Sequence, residues 1–370
     1  MTYNSNLHSS DICVGRVVGS STYKNIRLRR LLACRLDVIL NANWNKFLIS
    51  LLVLSGVFLM AGSARAADYL LYLEAQGVAG YSTETDEVDY YSHMPEEAMQ
   101  KPSVGFDFLK RFSGDSGDFG AFALQYRLAY DDPEDQLQSQ VYNAYFKYKA
   151  GWSDLWVGHN RPAFGLSSYF DTHALLLPTL PMYGFGFDRD WGAGSYKDFD
   201  WGNFSLSVTT GTGMPARFEG NYLASARISR GFLSQDNYNA GLSVSYGETL
   251  AVMGYEVMSD EPKPTALGGV DATYLWDIFE VRCDVMAGEI RDESAAAVFL
   301  RGGVNLMEEG RLKLEAQPVY LKTDGRDNYQ LAAGLSYQLT GDIAMRTMYQ
   351  YDHETADQRV VVQVYLYKRI

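Results

Sequence analysis

From Ala67 onward, apolar and polar positions alternate with a period of two. Phe122, Leu124, Tyr126, Leu128 and Tyr130 share one face; Ala121, Ala123, Gln125, Arg127 and Ala129 share the other. Tyr142, Ala144, Phe146 and Tyr148 oppose Asn143, Tyr145, Lys147 and Lys149. Leu312, Leu314 and Ala316 oppose Lys313, Glu315 and Gln317, and Leu331, Ala333, Leu335, Tyr337 and Leu339 oppose Ala332, Gly334, Ser336 and Gln338. Successive side chains on a strand point to opposite faces, so each segment reads as a strand with one apolar and one polar side. The pattern predicts strands over roughly 69–81, 103–112, 119–130, 140–149, 154–161, 185–197, 201–210, 221–230, 237–246, 267–276, 278–288, 295–305, 311–321, 328–339, 342–351 and 359–368. That makes 16, with 14 and 18 as the neighbouring solutions; Leu250–Met258 is assigned to a single outer excursion, 247–266.

Two architectures use such strands. A soluble sandwich hides its apolar faces between two sheets; a transmembrane antiparallel β-barrel turns them to lipid and keeps the polar faces around a lumen. Long Lys and Arg on the polar faces, aromatics at segment ends and an export signal ahead of about 16 strands with no disulfide favour the barrel. In hydrocarbon every backbone N–H and C=O needs a partner, which a closed barrel supplies without edges. The expected outer connections include acidic runs, Glu84, Asp86, Glu87 and Asp89, then Asp131, Asp132, Glu134 and Asp135. These are solvated tips, or they attract cations and bridge divalent ions to lipopolysaccharide. The last strand places Val360, Val362, Val364 and Leu366 on one face, with Ile370 in register.

The stretch 154–197 stands apart, with Pro162, Pro178, Pro181 and apolar Ala174–Leu177 in a long connection. Such a connection inside a compact barrel is usually functional. It is expected to fold inward and narrow the lumen; the alternative is packing over the rim or against a neighbouring subunit. Within it, Gly158-His159-Asn160-Arg161-Pro162-Ala163-Phe164-Gly165 resembles the G-x-x-x-x-P-x-F-G motif at the entry to the constriction loop of phosphate-selective (O/P-type) porins. Gly241-Leu242-Ser243-Val244-Ser245-Tyr246-Gly247 resembles a recurrent strand of that family. The resemblance implies a 16-stranded, homotrimeric channel for passive diffusion of small solutes or ions across the outer membrane. That family's ladders of lumen arginines and lysines have no position-by-position match here, so phosphate specificity is not carried over.

Composition sharpens the picture. Phe47–Gly62 is the one long apolar run, preceded by Lys46 and followed by Ala64-Arg65-Ala66. A basic flank, an apolar core and small residues at A-x-A mark a secretory signal cleaved after Ala66, against a retained anchor as the rival. Residues 1–66 are thus an extension plus signal, and 67–370 the barrel; 1–43 read as an over-extended start or a long leading region. The chain has 32 Lys+Arg and 45 Asp+Glu. Taking away the eight basic and two acidic residues of 1–66 leaves 24 and 43, a net of −19. That balance argues against nucleic acid as a partner. Removal of Cys13 and Cys34 leaves only Cys283, so an intrachain disulfide is excluded.

The alternation assigns Arg127, Lys147, Lys149, Arg227, Arg301, Lys313, Arg346, Glu280 and Glu315 to the pore lining, with Asp107, Arg282 and Asp284 on the same face. In the loop, Arg161, Asp171, His173, Asp188 and Arg189 are the constriction candidates. Lumen charges set the potential an ion meets; the alternative is that they pair across strands and fill the interior. No catalytic residue, cofactor or metal is expected. Ser167, Ser168 and His173 lack strand spacing, Asp352-His353 sits in an outer loop, and His93, His159, His173 and His353 lack partners at ligand spacing. Gly211-Thr212-Gly213 lacks the Lys of a phosphate-binding loop and reads as a flexible turn. Non-channel alternatives are a sheath for a partner such as an electron-transfer cytochrome, and a surface receptor or adhesin.

Overall fold

The computed structural model describes residues 69–92, 100–115, 117–170 and 175–370; the expected signal, its cleavage site and His93 lie outside them. The strands are β1 (Tyr69–Ser82), β2 (Glu87–Asp89), β3 (Ser103–Gly114), β4 (Gly117–Asp131), β5 (Gln136–Lys149) and β6 (Asp154–Asn160). They continue as β7 (Asp190–Phe199), β8 (Gly202–Thr209), β9 (Tyr222–Arg230), β10 (Tyr238–Met253), β11 (Glu256–Trp276) and β12 (Phe279–Ile290). The last five are β13 (Glu293–Leu306), β14 (Leu312–Thr323), β15 (Arg326–Gln338), β16 (Ile343–Asp352) and β17 (Gln358–Arg369). All neighbouring pairs are antiparallel. β2 is a short flap on the end of β1. Because β1 pairs with both β3 and β17, the other strands close into a 16-stranded barrel.

Closure leaves one inner and one outer face, and burial separates them. On β17, Val360, Val362 and Val364 are exposed while Val361 and Gln363 are fully buried. On β10, Leu242, Val244 and Tyr246 are exposed while Ser243 and Ser245 are buried. Apolar side chains thus look outward, the reverse of a soluble sandwich. Exposed aromatics gather near the short turns (Trp152, Phe199, Trp201, Trp276, Phe279) and again near the loop end (Tyr222, Tyr246, Tyr329, Tyr349). Two such bands flanking an apolar belt are what a bilayer's two interfaces require.

Three expectations are corrected. First, 247–266 is not a loose excursion. Its ladder continues through Val252↔Val257 and Met253↔Glu256, leaving Gly254 and Tyr255 as the turn. β9 follows β10 only to Glu248, and β12 follows β11 only to Thr265, so the hairpin outgrows its neighbours. Its Tyr255 hydroxyl donates to the Val141 carbonyl on β5 (3.1 Å). Second, residues 185–189 belong to the preceding loop, and the strand starts at Asp190. Third, Tyr142 does not face outward. A bulge pairs Gln125 with Asn143 but Tyr126 with Val141, so Tyr142 is the extra residue and turns inward. Bulges re-aim side chains in this way.

Candidate functional site

After β6 the described parts of the connection to β7, 161–170 and 175–189, lie inside the barrel. Two short 3-10 turns, Leu166–Ser168 and Leu180–Tyr183, shape it; the second is capped by Thr179 and ends at Gly184 in the left-handed conformation (φ 83°). The loop lands on the inner wall twice. Phe164, Leu166, Leu180 and Phe185 pack on Leu267, Met286, Ala297, Phe299 and Val319 of β11–β14. Leu176 and Leu177 pack on Val78, Ala332, Met348 and Val361 of β1 and β15–β17. Burying a Leu or Phe side chain is worth roughly 1.5–3 kcal/mol, so these contacts hold the loop inside.

Polar ties complete the docking. The amides of Ala163, Gly165 and Leu166 donate to Ser207 Oγ (2.9 Å), Ser243 Oγ (3.1 Å) and Asp284 Oδ2 (3.0 Å). The Arg301 guanidinium donates to the carbonyls of Leu177 (2.9 Å) and Pro178 (3.1 Å), and Gln317 donates to Pro178 as well (2.8 Å). At the returning end Asp188 and Arg189 meet β5. Tyr142 donates its hydroxyl to Asp188 (2.7 Å), and Arg189 donates to Asn143 (2.8 Å) with its guanidinium 4.3 Å from the Tyr142 ring. The loop is therefore fastened to both sides of the lumen.

Most inner-face charges are matched by an acid, and three pairings use one device. Arg127 on β4 reaches Glu74 on β1 (2.9 Å) over Gly105 of the intervening β3. Arg227 on β9 reaches Asp271 on β11 (2.5 and 2.9 Å) over Gly241 of β10. Glu280 on β12 reaches Lys313 on β14 (2.7 Å) over Gly303 of β13. A Cβ at these glycines would fall within 2.6 Å of the Arg127 Cγ, 2.6 Å of the Arg227 guanidinium carbon and 2.8 Å of the Glu280 Cγ. The missing side chain is the passage.

Of the other residues singled out from sequence, Glu315 also pairs with Lys313 (3.1 Å), and Lys147 pairs with Asp154 (2.9 Å) over the Tyr196 ring. Arg346 donates to Gln363 (2.8 Å), and Lys149 is exposed at the end of β5. Arg301 has no acidic partner within ion-pair distance among the described residues, and its terminal Nη1 has no hydrogen-bond partner. Arg282 stacks on Phe170 (3.5 Å) beside Glu280. Arg161 is half-buried at the loop entry; Asp171 and His173 lie outside the described residues. Sequence reasoning missed Glu74, Asp271 and Asn143, each a polar residue on an inward position between apolar ones.

The turn Gly211-Thr212-Gly213, read as flexible from the sequence, is held by hydrogen bonds. The amides of Gly211, Thr212 and Gly213, with the Thr210 hydroxyl, converge on the Asp190 carboxylate at 2.7–3.3 Å. Ser167 and Ser168 donate to loop carbonyls of Phe164 and Gly165, and His159 is buried against Trp191 (4.8 Å). No group of three His, Cys, Asp or Glu that could hold a metal ion occurs among the described residues.

Outside the barrel wall, Asp357 locks the seam. It accepts from Ser82 (2.8 Å), Thr83 (3.0 Å), the Glu84 amide (3.0 Å) and Arg359 (2.6 Å). Burial by itself lifts its carboxyl; these four donors outweigh that and hold it below the ordinary carboxylate value.

No family profile matches the chain, and no curated protein does. Solved structures do. The anion-selective porin of Comamonas acidovorans superposes with a TM-score of 0.58 at 10% identity, over 82% of this chain and 99% of that one. Salmonella typhi OmpF in complex with daunomycin gives 0.57 at 12% identity, over 81% and 97%. A loop-deletion form of OmpT, an outer membrane protein of Vibrio cholerae, gives 0.57 at 12%, over 81% and 100%. At such identities the likeness shows the fold alone: an outer-membrane barrel of porin type.

Proposed function

We propose that this protein is an outer-membrane channel through which small hydrophilic solutes or ions diffuse passively. The observation that carries the reading is the connection between β6 and β7, whose described parts, 161–170 and 175–189, are fastened to the interior of a closed barrel whose inner wall is charged and whose outer wall is apolar. A barrel built only as a membrane anchor needs no such partition. Lys147, Lys313, Glu315 and Arg346, with Asp188 and Arg189 in the loop, are the residues we assign to the solute path. Arg127, Arg227 and Glu280 act there chiefly by cancelling a neighbour's charge, so ion preference is weak. We assign no catalytic step and no cofactor.

The finer reading extends to export by a signal cleaved after Ala66, residence beside lipopolysaccharide and assembly as a homotrimer. Kinship with the phosphate-selective porins rests on the stretch Gly158–Gly165. Purified protein added to a planar lipid bilayer is the decisive test. Discrete, ohmic conductance steps are the expected result; a folded barrel that stays silent overturns the channel. N-terminal sequencing of the mature protein and cross-linking in native membranes check the signal and the trimer.

A further inference from the structure

We infer that the vestibule above the loop, at the end of β14–β17, is a binding site for an uncharged sugar of one or two rings. The inference goes beyond the channel reading and needs it for the site's use, not for binding itself. The cavity has a volume of about 330 Å³. That is the small end of the roughly 300–1,000 Å³ of ligand sites. Its floor is apolar, made by Tyr183 and Phe185 of the loop and Leu321 of β14.

The walls carry Arg326 and Arg359 against Asp352 and Glu354. Asp357 stands directly behind Arg359, so no positive surplus exists to select an anion. Asp352 is buried and already saturated by Asn328 (2.9 Å), Gln330 (2.6 Å) and the Thr355 amide (3.2 Å). It therefore offers little to an ammonium group, which disfavours a zwitterion. Asn328 and Gln330 are themselves fixed, accepting from the Glu354 amide (3.1 Å) and from Gln350 (2.7 Å). Arg359 spends its Nε on Asp357 (2.6 Å), which orients the rest of the guanidinium.

Pre-oriented planar donors and acceptors of both kinds above an apolar floor match sugar chemistry. Each hydroxyl both donates and accepts, and the C–H face of the ring needs an apolar surface. A net ion or an apolar ligand uses only part of this lining.

Binding is read by calorimetric titration of the full-length protein, folded in detergent, with glucose, sucrose, glycine and inorganic phosphate. The expected result is saturable binding of sucrose or glucose, weakened about tenfold by Arg326→Ala and by Glu354→Gln. Both positions are exposed, Arg326 as the first residue of β15 and Glu354 on a turn, and unheated gels check that the variants stay folded. Saturable binding of glycine or phosphate without either sugar, no saturable sugar binding, or sugar binding that both variants leave intact overturns the proposal. Because titration requires no ion flow, a barrel that conducts but binds no sugar removes only this site. One that binds sugar but never conducts removes only the channel.

Discussion

Arg227 and Asp271 sit two strands apart, and their two-pronged ion pair crosses Gly241 on the strand between them. Both side chains are nearly inaccessible to water. The charges are useful to the barrel only while joined. Gly241→Val is expected to push the guanidinium aside and strand both charges, and Asp271→Asn to strand the Arg227 charge without the steric part. Leaving a buried charge unpaired costs about 3–5 kcal/mol. The check is the urea midpoint, or the temperature at which the folded band is lost on unheated gels. Replacing the pair together, Arg227→Met with Asp271→Leu, is expected to restore most of the loss.

The same matching decides which charges steer ions. Swapping Arg127 to Glu removes the partner of the buried Glu74 and adds a second buried carboxylate beside it, so it is expected to abolish folding rather than change selectivity. Arg346 has a neutral partner, Gln363, and no acid within ion-pair distance among the described residues, so its charge stays uncancelled. Arg346→Glu is expected to move the reversal potential in a salt gradient toward cations. An unmoved potential would mean that ions do not pass this wall.

The loop's far anchor is Leu177, set between Gly334 and the β17 wall, with Arg301 holding the next two carbonyls. Leu177→Ala removes packing worth about 2–5 kcal/mol. Single-channel traces of this variant, and of Arg301→Ala, are expected to show larger and noisier currents than the parent. Traces identical to the parent would place the loop outside the conducting path.

Asp357 gives the seam an acid limit. Its folded pKa lies below the unfolded value, so its contribution is complete above about 3.8 and fades as the pH falls through the folded value. Wild type is expected to withstand more heat than Asp357→Asn at neutral pH, with the gap closing as the pH falls below about 3.8. A gap that persists in acid would show that the carboxylate's charge is not what binds the four donors.

Strand positions were legible because the outer face demands an apolar residue at every second place, and that demand repeats along each ladder. The strand over 295–305 was legible as well, although the demand lapses within it. Ala295–Leu300 is apolar at every position, and this break marks the place where Phe164 and Leu180 dock against Ala297 and Phe299. The inner side there is dry because the loop covers it. Tyr142 was misplaced because a single bulged residue shifts the period, and nothing in the composition of β5 announces it. Partners such as Glu74 for Arg127 stayed hidden because they lie on strands separated by a third, beyond what spacing along the chain reports. The glycines that let them meet were visible as residues but not as gaps.

The first and last strands are each other's neighbours. Gln363 donates to Gln76, 287 residues earlier, and the Ile370 amide donates to the Leu71 carbonyl. Contacts so remote in sequence form slowly. Until β17 emerges from synthesis and finds β1, one margin of the growing sheet carries unsatisfied backbone groups that any other nascent chain could capture.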